Sequence, residues 1–163
     1  MKFATDAPAP PRTWTEISAA AIEWNARIVR KYCPDAGIIA VLKADAYGHG
    51  AITAARALAR SAEYFAVANL NEARVLRQGV PGRPILILSP ALPEERPAIA
   101  AAGFIPTVSR YEEIAAYAAL AGRTPLPVNL KIDTGMGRLG ILLQEAAGLL
   151  QAARRLPGVE IRH

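Results

Sequence analysis

A primary amine stands at Lys43, where the apolar run Ile38, Ile39, Ala40, Val41 and Leu42 gives way to Ala44, Asp45, Ala46, Tyr47, Gly48, His49 and Gly50. The run has the pattern of a short strand buried on both faces, so the amine is offered at a strand end. A partly desolvated lysine amine can attack an aldehyde and form an imine, which serine and histidine cannot do. The plainer alternative is a snorkelling lysine whose stem covers the strand end while its ammonium reaches water. Gly48 and Gly50 permit positive φ or close backbone approach to a bound group, which suits a loop that holds something.

A second set of polar groups lies in Lys131, Ile132, Asp133, Thr134, Gly135, Met136, Gly137, Arg138, Leu139 and Gly140. Asn129, Lys131 and Asp133 alternate with Val128, Leu130 and Ile132, so a strand of period two sends the polar trio to one side. An ordinary ion pair between Lys131 and Asp133, and a solvated Arg138, are the plain alternatives. The three glycines also spell G-x-G-x-x-G, with Glu160 20 residues beyond Gly140, as in a dinucleotide-binding fingerprint. The polar face of the preceding strand argues against that identity, because the fingerprint follows a strand that is apolar on both sides. His49 and His163 are the only histidines and Cys33 the only cysteine, so no metal cluster is expected, and His49 reads as loop packing.

These groups need a scaffold, and hydrophobic periodicity supplies one. Residues 12–17 alternate as a short strand, Ser18 suits an N-cap, and Ala21, Trp24, Ile28 and Tyr32 recur at helical spacing. After the lysine strand, helices are predicted over residues 52–60, 71–78, 94–102, 111–120 and 142–154, with a break or kink near Pro97. Strands are predicted over residues 65–68, 84–88, 105–108, 128–133 and 159–161. Strands alternating with helices through short connections make parallel βα units. About five units and the start of a sixth strand can be counted, an incomplete α/β barrel of the (β/α)8 type, since a whole one takes about 250 residues against 163 here. In such a barrel the polar trio points inward near the C-terminal mouth, where Lys43 also ends its strand.

Composition excludes several partners. The net charge of +5 comes from arginines scattered over predicted helices without aromatic interleaving, so no nucleic-acid partner is expected. Residues 1–11 form a polar, Pro-rich tail with no apolar signal region, expected to be disordered. No stretch approaches the roughly 18 apolar residues of a membrane span, so a cytoplasmic protein without membrane association is expected.

The string KADAYGHG resembles the pyridoxal-phosphate lysine signature of the alanine racemases, whose commoner form has Asn in place of Asp45, and KIDTGMGRLG resembles a second segment of that family. The resemblance implies that Lys43 bonds pyridoxal 5'-phosphate and acts as a base on one face of the substrate, with Tyr47 against the cofactor. It implies that Arg138 holds the cofactor's phenolic oxygen and the substrate, oriented by Lys131, which is often carbamylated in the family. It also implies a homodimer, alanine as the small-molecule substrate, a supply of D-alanine for peptidoglycan, and a C-terminal β domain beyond an N-terminal barrel. Residues 12–163 cover the N-terminal part of the barrel alone. The family's Thr-His pair has no match at His163, which follows Arg162. The expectation is therefore a fragment that binds the cofactor weakly and racemises little or nothing by itself, and that a complementing second chain would rescue. The rivals are another barrel-type pyridoxal-phosphate racemase or carrier, and a non-catalytic half-barrel interaction module.

Overall fold

Apolar residues at every second position build the strands, and apolar residues three to four apart build the helices that cover them. A computed structural model of the chain describes residues 12–162, so the tail predicted over residues 1–11 and His163 lie outside the described residues. The order is α1 (Ala19–Tyr32), β1 (Ile39–Val41), the single turn α2 (Lys43–Tyr47), α3 (Ala51–Leu58), β2 (Tyr64–Val67), α4 (Leu70–Gly79) and β3 (Ile85–Pro90). It continues with a 3-10 turn (Pro93–Glu95), α5 (Arg96–Ala101), β4 (Ile105–Val108), α6 (Tyr111–Leu120), β5 (Leu126–Leu130), β6 (Ile132–Asp133), β7 (Ile141–Leu142), α7 (Leu143–Ala153) and β8 (Val159–Ile161).

Six strands form one sheet in the order β1-β2-β3-β4-β5-β8, every neighbouring pair parallel. Spatial order follows chain order without reversal, as in a (β/α) barrel and unlike a doubly wound sheet, whose order reverses at a switch point. The architecture is a partial α/β barrel. No helix of the described residues is long and apolar enough to cross a membrane.

The two sheet faces are packed differently. Phe65, Val67, Ile85, Ile87, Val108 and Val128 meet the helix layer through Ala55, Ala73, Leu76, Ile99, Ile114 and Tyr117. Each large side chain buried there contributes roughly 1.5–3 kcal/mol. The other face carries Ala66, Leu86 and Ile105, with Tyr64 and Leu88 beside them. Farther along the sheet Thr107 is buried, and its Oγ1 accepts a 2.9 Å bond from Asn129 Nδ2, so that face turns polar toward β5.

Four expectations are corrected. Residues 12–17 form no strand; Trp14 is 72 % exposed and its Nε1 donates to Glu16 Oε1 at 3.0 Å, so the segment bonds within itself and not to the open edge of β1. The lysine strand is buried on one face only, because Ile39 and Val41 project from an edge strand and are exposed. The strand predicted over residues 128–133 breaks at Lys131, whose N–H still bonds Val108 O while its carbonyl accepts Ile141 N, drawing the chain toward β7. Helix α1 forms, with Ser18 Oγ capping Ala21 N, yet its inward face is Ile22, Ala26 and Arg30, and Trp24, Ile28 and Tyr32 face outward. The break near Pro97 falls between the 3-10 turn and α5, where Pro97 occupies a tolerated first-turn position.

Arg30 explains how α1 is turned. Its guanidinium reaches Ala36 O, Ser61 O and Glu63 Oε1, while Glu63 Oε2 accepts Ile38 N at 2.6 Å. The Ile38 N–H, followed by the Arg30 guanidinium, holds the Glu63 carboxyl below its usual 4.5 against an opposing push from partial burial. A depressed folded-state value contributes stability that is present above about 4.5 and lost as pH falls through the folded value. Thermal unfolding followed from pH 7 to pH 3 is expected to show a shallower acid limb for Glu63→Gln than for the parent chain. Parallel limbs would contradict the assignment.

Candidate functional site

The chain stays in the sheet until just before Lys43, since Leu42 N still bonds Ala66 O at 2.7 Å. It then makes a left-handed turn, with φ of 51°, 52°, 52° and 55° at Ala44, Asp45, Ala46 and Tyr47. Left-handed backbone costs about 1–2 kcal/mol at each non-glycine residue, so four in a row store about 4–8 kcal/mol. Gly48 and Gly50 continue with φ of 87° and 82°. Those two were legible as positive-φ positions; the four before them were not.

Several bonds hold the turn. Ala46 N reaches Leu42 O, Gly48 N and Gly50 N share Asp45 O, and His49 N reaches Ala46 O. Asp45 Oδ1 accepts Ala51 N at 2.6 Å and so caps α3, whose N-cap Gly50 has no side chain to do it. Glu72 Oε1 accepts Ala44 N at 3.0 Å from the next βα unit. Strain that the surroundings over-determine in this way is concentrated at functional sites. Its effect here is to set the path of Lys43, half-buried at the C-terminal end of the sheet, and of Tyr47, 63 % exposed. His49 packs its Nδ1 against Ala46 O at 2.9 Å.

The glycine-rich segment is organised by Asp133. Its Oδ1 accepts Gly135 N at 2.9 Å and Gly137 N at 3.1 Å, and these two N–H groups hold the carboxyl below its usual 3.8. Among the described residues Asp133 forms no ion pair with Lys131, whose charge is the weakest contributor to that shift. Lys131 and Arg138, both exposed, line one small cavity of ≈ 50 Å³ together with Asp133 and Met136. Arg138 also faces a larger open groove of ≈ 770 Å³ with Arg110, Tyr111, Glu113 and Glu145.

The structure therefore brings Lys131 and Arg138 together and sets Lys43 and Tyr47 apart from them. Both groups stand at the C-terminal end of the same sheet, but β1 and β5 are four ladder steps apart, about 19 Å along the sheet at about 4.8 Å per step. Lys43 does not line either Arg138 cavity. The dinucleotide fingerprint fails as the polar strand foretold: the glycines lead into β7 before a helix begins, and Glu160 on β8 pairs with Arg162 at 2.9 Å. Sequence reasoning passed over Glu72 and Thr107. The spacing Asn69-x-x-Glu72 ahead of a helix is a capping-box signal that would have found the first.

Residues 17–163 match the family described as alanine racemase, N-terminal domain. Alanine racemase of Haemophilus influenzae is 38% identical over 146 residues, covering 89% of this chain and 41% of that protein. Alanine racemase from Bartonella henselae with covalently bound pyridoxal phosphate superposes with a TM-score of 0.79 at 29% identity, covering 89% of this chain and 43% of that one. A histidine racemase from Leuconostoc mesenteroides has a TM-score of 0.77 at 28% identity, covering 88% of this chain and 40% of that one. The chain thus spans about two fifths of the length of the relatives it matches.

Proposed function

The chain belongs to the alanine racemase N-terminal domain family, and from that premise we propose that it supplies the lysine-bearing part of a pyridoxal 5'-phosphate-dependent racemase. The substrate is alanine, interconverted between its L and D forms, with D-alanine destined for peptidoglycan. The observation that carries this proposal is the left-handed turn that follows Lys43, backbone strain spent where a reactive amine leaves the sheet.

The residues present fit the cofactor by their donor chemistry. Lys43 offers an amine to its aldehyde carbon, Tyr47 a phenol against the same site, and Arg138 an exposed guanidinium suited to its phenolic oxygen. Bound there, the cofactor would supply the electron sink that makes an amino acid's α-hydrogen removable as a proton. Lys43 Nζ would take that proton on one face and return it to the same face. Arg138 would bind and orient, and Lys131, carbamylated or free, would steer Arg138 across the ≈ 50 Å³ cavity that both line. Inversion needs a second base on the opposite face. In the family this is a tyrosine of the C-terminal β domain from a partner subunit, outside these 163 residues. A homodimer, or a complementing second chain, is accordingly the proposed partner.

One base exchanges; two bases invert. In deuterium oxide with pyridoxal phosphate, these 163 residues alone are expected to wash out the α-hydrogen of one alanine enantiomer with retention of configuration. Racemisation should run about 10²–10⁴-fold below that of a two-base site. Proton NMR reads the exchange and chiral chromatography the configuration; inversion that keeps pace with exchange would contradict the one-base account. The likeness to a histidine racemase supports a second substrate reading within the same chemistry. Exchange assays on alanine and histidine side by side separate the two.

A further inference from the structure

Glutamates satisfy strand-end N–H groups in three of the βα loops. Glu113 Oε2 accepts Ser109 N and Arg110 N at 2.7 and 3.2 Å, both from its own loop, and Glu95 Oε2 accepts Leu92 N at 2.9 Å, again from its own. Glu72 departs from this pattern. Its Oε2 accepts Ala68 N at 2.8 Å in its own loop after β2, while Oε1 crosses to Ala44 N at 3.0 Å, the first amide of the left-handed turn. Asn69 Oδ1 accepts Glu72 N at 3.0 Å and so anchors the glutamate's own backbone at the start of α4.

We propose that Glu72 is a positioning residue for Lys43: its carboxylate clamps the chain ends of β1 and β2 and so fixes the direction in which the Lys43 amine leaves the sheet. The residue type follows from the task. Two N–H donors converge from two loops, and only a carboxylate offers an acceptor oxygen to each. Glutamine has the same shape but one acceptor, so its NH₂ would face an N–H donor. Ala44 is exposed, and without the clamp its amide would open to water on the turn that carries the strain. The proposal rests on Lys43 being the cofactor lysine, yet part of its test is independent of cofactor.

The test compares the parent chain with Glu72→Gln, Glu72→Ala and the control Glu95→Gln, whose carboxylate serves its own loop alone. Amide exchange at Ala44 and Ala68 is followed by NMR, and the share of pyridoxal phosphate fixed by borohydride at Lys43, against Lys31 and Lys131, by peptide mapping. In the parent chain the Ala44 amide is expected to be protected despite its exposed position. Glu72→Gln should speed its exchange about 10- to 100-fold and lower the Lys43 share, while the amides of Phe65 and Ile87 keep their protection; Glu95→Gln should change neither. An unprotected Ala44 amide in the parent chain, or unchanged exchange and labelling in Glu72→Gln, would overturn the clamp. So would a loss of Lys43 labelling shared equally by Glu95→Gln, which would make the role merely structural. If the parent chain takes no cofactor at Lys43, the racemase proposal falls and the Ala44 exchange decides the clamp alone.

Discussion

Lys43→Arg is expected to abolish cofactor attachment at this position and to lower α-hydrogen exchange by about 10²–10⁴-fold or more, the usual worth of a positioned acid or base. Arginine keeps the positive charge and most of the length, so electrostatic attraction for an anionic cofactor survives. It cannot act as the amine nucleophile or as a base, because its guanidinium stays protonated. The fold should be indifferent, since Lys43 is half-exposed at a strand end and such substitutions usually stay within about ±0.5 kcal/mol. Absorbance with pyridoxal phosphate, deuterium exchange and a melting curve check the three parts together. Exchange at the parental rate would remove Lys43 from the chemistry.

Gly140→Ala should be the most disruptive glycine substitution in the Arg138 segment, destabilising it by about 2–4 kcal/mol. Two causes combine. Gly140 has φ of +120°, and a Cβ there would stand 2.6 Å from Asp133 N and 2.9 Å from Ile132 C, backbone atoms that cannot swing aside. The β6–β7 pairing of Ile132 with Ile141 and Asp133 with Leu142 would have to open, releasing the Asp133 cap on Gly135 and Gly137 and with it the position of Arg138. Gly135→Ala separates the causes, because Gly135 shares the positive φ, +128°, but a Cβ there meets nothing within 4 Å. Melting curves and amide exchange at Gly137 should rank Gly140→Ala well below Gly135→Ala. Equal effects would mean that backbone strain, not the close approach, governs the segment.

The parallel sheet was legible because each buried strand carries its own evidence: Phe65, Ile85 and Val128 sit in runs that no exposed helix would carry, and Asn129 announced the polar inner face by period alone. Features decided by distant partners were not. Nothing in Ala44, Asp45, Ala46 and Tyr47 announces a left-handed turn; its handedness depends on Asp45 reaching Ala51 and on Glu72 reaching across from the neighbouring unit. The outward stripe on α1 misleads for the same reason, because Arg30 rather than Trp24 or Ile28 decides which side of that helix turns toward α3 and the segment that follows it. Residues 12–17 alternate like a strand but join no ladder, and Trp14 Nε1 instead donates to Glu16 Oε1 within the segment.

At the second motif the identity of the residues was easier to read than their bonds. Lys131 and Asp133 look like an ion pair by charge and spacing, yet the Asp133 carboxylate turns to the N–H groups of its own glycine loop, the local competition that short acidic side chains favour. That leaves Lys131 on the cavity it shares with Arg138. The neighbourhood of these two side chains, and not a Lys131–Asp133 bond, is what the racemase proposal requires of this segment.

The proposed function needs one lysine, Lys43, to be singled out for the cofactor by the turn that follows it. Its most direct test is to mix the purified chain with pyridoxal phosphate, reduce with borohydride, and map the modified peptide by mass spectrometry. A single adduct, on Lys43, is expected. Labelling spread over Lys31, Lys131 and Lys43 alike, or no adduct at all, would contradict it.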